Sequence, residues 1–111
     1  MQLVELTPKD PDVVNVFADI DRLINSLYPV ATAQSLKLEE LSKDNVYAIG
    51  LKNEDGIIAC GAIVKQNDGA LYGEIRRLYV KPSYRGRGFS RRIMQNLLHY
   101  AGETKIPLIR L

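Results

Sequence analysis

The chain of 111 residues holds one cysteine and one histidine. The lone thiol, Cys60, excludes an internal disulfide and fits a reducing compartment. One Cys and one His do not make a credible metal centre, so no metal is expected. A cysteine nucleophile would need His99 beside it, and His99 falls late in a helical stretch, where solvent exposure near a helix C-terminus is the plainer reading. No apolar run approaches membrane-spanning length, and the N-terminus has no secretory hydrophobic region. Repeats, linkers and low-complexity tracts are missing, as is any G-x-x-x-x-G-K-[ST] run. The net charge of +2 is too small to imply nucleic-acid binding by itself. These absences leave a single domain, residues 1–111, with an ordinary apolar core and a cytoplasmic setting.

What is present is a regular succession of elements. Gln2 to Leu6 reads as a strand. Asp10 is placed to cap a helix whose first position is Pro11. Val13, Val14, Val16, Phe17, Ile20, Leu23, Ile24 and Leu27 trace its apolar stripe, and Pro29 ends it. Gln34 to Ser42 supports a shorter helix. Val46–Lys52, Ile57–Gln66 and Leu71–Lys81 follow as strands joined by the turn signals Asn53-Glu54-Asp55-Gly56 and Asn67-Asp68-Gly69, which predicts an antiparallel meander. A helix from about Arg87 to Glu103 and a strand from Ile106 to Leu111 complete the order. A helix between two strands implies a crossover and parallel pairing. The fold class is therefore α/β, an α+β mixed sheet.

Two features break the regularity. Positive charge is clustered, with Arg76, Arg77, Lys81, Arg85, Arg87, Arg91 and Arg92 in one short stretch. That stretch contains the run Lys81-Pro82-Ser83-Tyr84-Arg85-Gly86-Arg87-Gly88-Phe89-Ser90, a glycine-rich basic loop between a strand and a helix. Glycines let a backbone approach a ligand closely, and the unpaired amides of a helix start favour an anion. The loop reads as a phosphate holder; the plainer alternative is a tight turn with solvated arginines. A dinucleotide fingerprint is excluded because Arg91 stands where its third Gly belongs. The second feature is the strand Leu71–Lys81. Ile75, Leu78 and Val80 are the residues to bury together, yet Ile75 and Leu78 are out of phase. A β-bulge near Arg76-Arg77 restores the phase; the alternative is a strand buried on both faces that needs no bulge.

The segment from Glu74 to Ser90 resembles motif A of the GNAT superfamily of acyl-CoA N-acyltransferases. The loop pattern (Arg or Gln, two residues, Gly, one residue, Gly or Ala) is met by Arg85 through Phe89 and departs at the last place, where Ser90 stands for Gly or Ala. The resemblance runs from about Asn45 to Leu111. It implies a GNAT-like fold, acetyl-CoA as co-substrate and a primary amine as acceptor. It also implies that Arg85, Arg87 and the amides of Gly86, Gly88, Phe89 and Ser90 hold the pyrophosphate. The same bulge is expected in family members, where it splays the strand from its neighbour, so that backbone groups of Leu78, Tyr79 and Val80 pair with the pantetheine arm.

The implied reaction sets chemical requirements. An amine attacks only when neutral, so a base must take its proton. Glu74 matches the strand position of the base in histone-type relatives; the competing reading is a glutamate paired with Arg76 or Lys65. The N–H of Val80 is the natural donor to the thioester oxygen. Many relatives use a tyrosine of the helix after the fifth strand as acid, and none of Tyr72, Tyr79, Tyr84 and Tyr100 occupies that place. Tyr28 is a candidate for an acceptor pocket, with core packing as its plainer role, and Cys60 reads as a buried filler.

The family's last helix and strands are not matched, since the sequence stops in the expected fifth strand. Truncation, a homodimer through that C-terminal strand, and an altered end are the three readings of this. Two functional rivals stand beside an N-acetyltransferase. One is a non-catalytic acyl-CoA-binding module. The other is a small nucleic-acid-binding domain, disfavoured because the arginines surround a turn and no stacking-aromatic motif accompanies them.

Overall fold

Alanine and β-branched residues recur through Val46–Ile49 and Ile57–Val64, and the strands they form lie at the centre of the sheet. The computed structural model describes residues 1–27 and 36–110. Its strands are β1 (Gln2–Glu5), β2 (Val46–Asn53), β3 (Gly56–Asn67), β4 (Leu71–Val80) and β5 (Ile109–Arg110). Its helices are α1 (Pro11–Leu27) and α2 (Phe89–Glu103), with 3-10 turns at Leu38–Ser42 and Pro82–Tyr84. The strands form one sheet in sequence order. The pairs from β1 to β4 are antiparallel, and β4 with β5 is parallel. This is the mixed α/β sheet expected.

The two faces of the sheet bury separate clusters. On one, Val13, Val16, Phe17 and Ile20 of α1 pack against Ala48, Cys60, Ala62 and Val64. On the other, Ile93, Leu97 and Ala101 of α2 pack against Ile49, Ala59, Ile63 and Ile75. Each fully buried Ile or Leu contributes about 1.5–3 kcal/mol of transfer free energy. Gly61 sets how closely α2 approaches: a Cβ there would lie 2.7 Å from Ile93 Cγ2. A glycine in β3 thus lets the helix lie directly on the strand, and this fixes the loop at the helix start.

The bulge is present. Cys60 faces Tyr79 and Ala62 faces Arg76, so Gly61 alone opposes Arg77 and Leu78. Arg77 takes up the extra residue in a left-handed conformation, φ 58°. Ile75, Leu78 and Val80 consequently share the α2 face, although Leu78 remains 40% exposed.

Several boundaries differ from expectation. The helix begins at Phe89, not Arg87, because Gly86 and Gly88 are left-handed (φ 79° and 81°) and cannot continue a right-handed turn. The last strand starts at Ile109, not Ile106, because Lys105 turns the chain at φ 59° and Ile106 is folded into the α2 cluster; Leu111 lies outside the described residues. The shorter helix is realised as the 3-10 turn Leu38–Ser42; the start expected for it, and Tyr28, lie outside the described residues. β1 ends at Glu5, while Leu6 still donates to Ala48 O at 2.9 Å.

Candidate active site

The glycine-rich loop is held from beneath. Tyr84 ends the 3-10 turn, and its hydroxyl donates to the Asp55 carboxylate and accepts from Asn53 Nδ2 at 3.2 Å. Lys81 Nζ donates to Asp55 O at 3.2 Å. The β2–β3 hairpin tip therefore braces the turn that leads into the loop. The bond to Asp55 pushes the Tyr84 phenol above its ordinary pKa. Tyr84 also lies against Phe89, ring centroids 6.3 Å apart, and under the Arg87 guanidinium at 5.5 Å.

Above this base the backbone is open. The amides of Gly86, Arg87, Gly88, Phe89, Ser90 and Arg91 donate to no acceptor among the described residues; the helical ladder starts with Arg92 N to Gly88 O at 3.1 Å. A Cβ on Gly86 or Gly88 would meet nothing within 4 Å. These positions border a cleft of about 480 Å³ lined by Val80, Tyr84, Arg85, Phe89, Ser90 and Arg91. Six unpartnered donors at and just before a helix start, with arginines among them, suit a diphosphate.

A second cleft, about 350 Å³, shares Val80, Arg85 and Ser90 with the first and adds Leu23, Leu78 and Tyr79. It follows the free edge of β4. Only Gly73 and Glu74 pair with β5, so the strand from Arg76 to Val80 has no outer neighbour among the described residues. Lys81 N donates to Ile58 O at 2.9 Å, which makes Ala59 and Val80 a non-hydrogen-bonded pair. The N–H and C=O of Val80 consequently point to the open edge. Arg85 Nε already donates to that carbonyl at 3.0 Å, and its guanidinium lies 5.8 Å from the Tyr79 ring centre. The N–H is left facing the cleft.

Of the residues singled out from sequence, Val80, Arg85, Gly86, Gly88, Phe89 and Ser90 border the first cleft, and Leu78 and Tyr79 border the second. Arg87 lines neither of these clefts; its guanidinium lies over the Tyr84 ring. Glu74 lies farther along β4 on the α1 face, half-buried, with its carboxylate bonded to Arg76. Lys65 faces Gly73 and is not its partner. Cys60 is buried, and burial pushes its thiol up to about 12. His99 is exposed and paired with Glu103.

Two contributions were not anticipated. The hairpin tip read only as a turn, yet Asn53 and Asp55 hold Tyr84. Arg77 read as part of a basic cluster, yet its side chain is 5% exposed and spans from the bulge to α1. A buried polar side chain reaching across the fold leaves no local mark in sequence.

The acetyltransferase (GNAT) family model matches residues 15–111. The chain is 30% identical over 91 residues to a protein named IAA acetyltransferase from Azospirillum brasilense, an alignment covering 82% of this chain and 59% of the relative. A Staphylococcus aureus structure described as a putative GNAT family acetyltransferase superposes with a TM-score of 0.80 at 18% identity, over 100% of this chain and 99% of that one. A Clostridium acetobutylicum predicted acetyltransferase, solved with acetyl-CoA, gives 0.74 at 18% identity, over 97% and 77%. By the family model and the sequence relative together, this chain belongs to the acetyltransferase (GNAT) family.

Proposed function

We propose that residues 1–111 form a GNAT-like domain that transfers an acetyl group from acetyl-CoA to a primary amine by direct attack in a ternary complex. The observation that carries this reading is the row of unpartnered amides from Gly86 to Arg91, set at the end of a strand whose outer edge is open. In this reading Arg85, Arg87 and the amides of Gly86, Gly88, Phe89 and Ser90 bind the pyrophosphate, and Leu78 to Val80 pair with the pantetheine arm. The Val80 N–H donates to the thioester oxygen as charge develops there. Glu74, directly or through a water, takes a proton from the acceptor ammonium; the neutral amine attacks, the C–N bond forms, the C–S bond breaks, and the second proton of the amine goes to the departing coenzyme A thiolate.

The ion pair between Glu74 and Arg76 favours a second reading, a non-catalytic acyl-CoA-binding module, because the base is already engaged. Thiol release from acetyl-CoA in the presence of an amine panel separates the two. The enzyme reading expects amine-dependent release that falls about 10²–10⁴-fold in Glu74→Gln. Binding of acetyl-CoA without release for any amine supports the module instead.

A further inference from the structure

The α1 face of β4 carries a second, differently charged constellation. Alternation places Tyr72, Glu74 and Arg76 on this face, with Gly73 and Ile75 turned toward α2. Glu74 is the register partner of Arg110 in β5, which brings Arg110 to the same face. The Arg110 guanidinium lies 4.2 Å from the centre of the Tyr72 ring and has no carboxylate partner among the described residues. Arg76, on the other side of Glu74, uses Glu74 as its anion. Two guanidiniums therefore flank one carboxylate, next to the stretch of β4 whose edge is open.

That order of charge, positive, negative, positive, is one anion short. We infer that the acceptor is an amine with a carboxylate on the neighbouring carbon, an α-amino acid or a close analogue, and this rests on the acetyl-transfer reading above. Its carboxylate binds Arg110, held in place by the Tyr72 ring, and competes for Arg76. When Arg76 turns to the incoming carboxylate, Glu74 loses its internal partner and is left facing the acceptor ammonium. The Glu74–Arg76 pair is then the resting arrangement of an acceptor site, opened by the substrate that needs it. An amine without a carboxylate offers Arg76 nothing in exchange and leaves Glu74 engaged.

Backbone amide shifts of the chain, saturated with coenzyme A and titrated with free α-amino acids and their carboxamides, test this. The expected result is saturable shifts around Tyr72 to Arg76 from at least one amino acid, with its carboxamide binding about 10–100-fold more weakly. Arg110→Gln and Arg76→Gln remove that difference, and Arg110→Lys retains part of it. Equal binding of acid and carboxamide, or no response to any free amino acid, overturns the inference while leaving the acetyl-transfer reading in place. The coenzyme itself reports separately, through the amides of Gly86 to Ser90. If those stay silent, the acetyl-transfer reading fails, and the acceptor role with it.

Discussion

Arg77 Nη1 donates to Asp21 Oδ1 at 2.6 Å, joining the bulge of β4 to the middle of α1. The same guanidinium donates through Nε to Leu36 O at 2.9 Å and sits 4.6 Å from the Phe17 ring centre. The Arg77 carbonyl in turn accepts from Cys60 Sγ at 3.3 Å. One residue thus fixes the strand where its edge is freed and fastens that strand to the helix whose Leu23 lines the adjoining cleft.

Arg77→Ala is expected to lower stability by about 1–3 kcal/mol, chiefly through an unsatisfied Leu36 carbonyl and lost packing on Phe17. Asp21→Asn should cost less than about 1 kcal/mol, because Asp21 is 52% exposed and its pair is partly screened. Urea denaturation of the two variants checks the order. A larger loss in Asp21→Asn than in Arg77→Ala contradicts the assignment.

Tyr84→Phe removes the bonds to Asp55 and Asn53 while keeping the ring against Phe89. The loop loses its brace without losing its shape, so acetyl-CoA affinity should fall severalfold with the fold intact. Calorimetry and circular dichroism measure the two parts. The bond to Asp55 raises the Tyr84 pKa, so its contribution is whole below the ordinary value of 10.0 and disappears as pH climbs through the raised one. An affinity unchanged in Tyr84→Phe contradicts a bracing role.

Cys60 is buried in the sheet, and its thiol is pushed up from 9.0 to about 12 by desolvation. In the folded chain it should resist alkylation at pH 8 and react promptly once denatured. Because the folded state holds the proton more tightly, this site favours folding fully below pH 9, and the benefit is lost as pH rises toward about 12. Rapid labelling of the native chain contradicts the burial.

Local chemistry explains which parts of this fold were legible in the sequence. The phase slip between Ile75 and Leu78 announced a bulge because the side-chain period of a strand is fixed, and Arg77 took the extra place. The glycines of the loop announced an exposed backbone because they stand in a basic stretch between a strand and a helix, where the missing Cβ lets the chain approach a ligand. The pairing of Glu74 with Arg76 was one of two readings open, since residues two apart share a strand face. The Arg77–Asp21 contact was hidden, because its partners are far apart in sequence and each reads as an ordinary surface charge. The short β5 was hidden too. The residue that shortens it, Lys105, is left-handed without being a glycine, and Ile106 serves the helix cluster in place of the strand.

If the amides from Gly86 to Arg91 grip a diphosphate, as proposed, matched glycine substitutions must separate the loop from an ordinary turn. Gly88 and Gly69 share the same left-handed conformation, φ 81°, and a Cβ at either meets nothing within 4 Å. The strain of Asp is therefore alike at both, while only Gly88 borders the cleft. Calorimetric titration with acetyl-CoA should show binding to the native chain and to Gly69→Asp, and none to Gly88→Asp. Undiminished binding by Gly88→Asp would contradict the account.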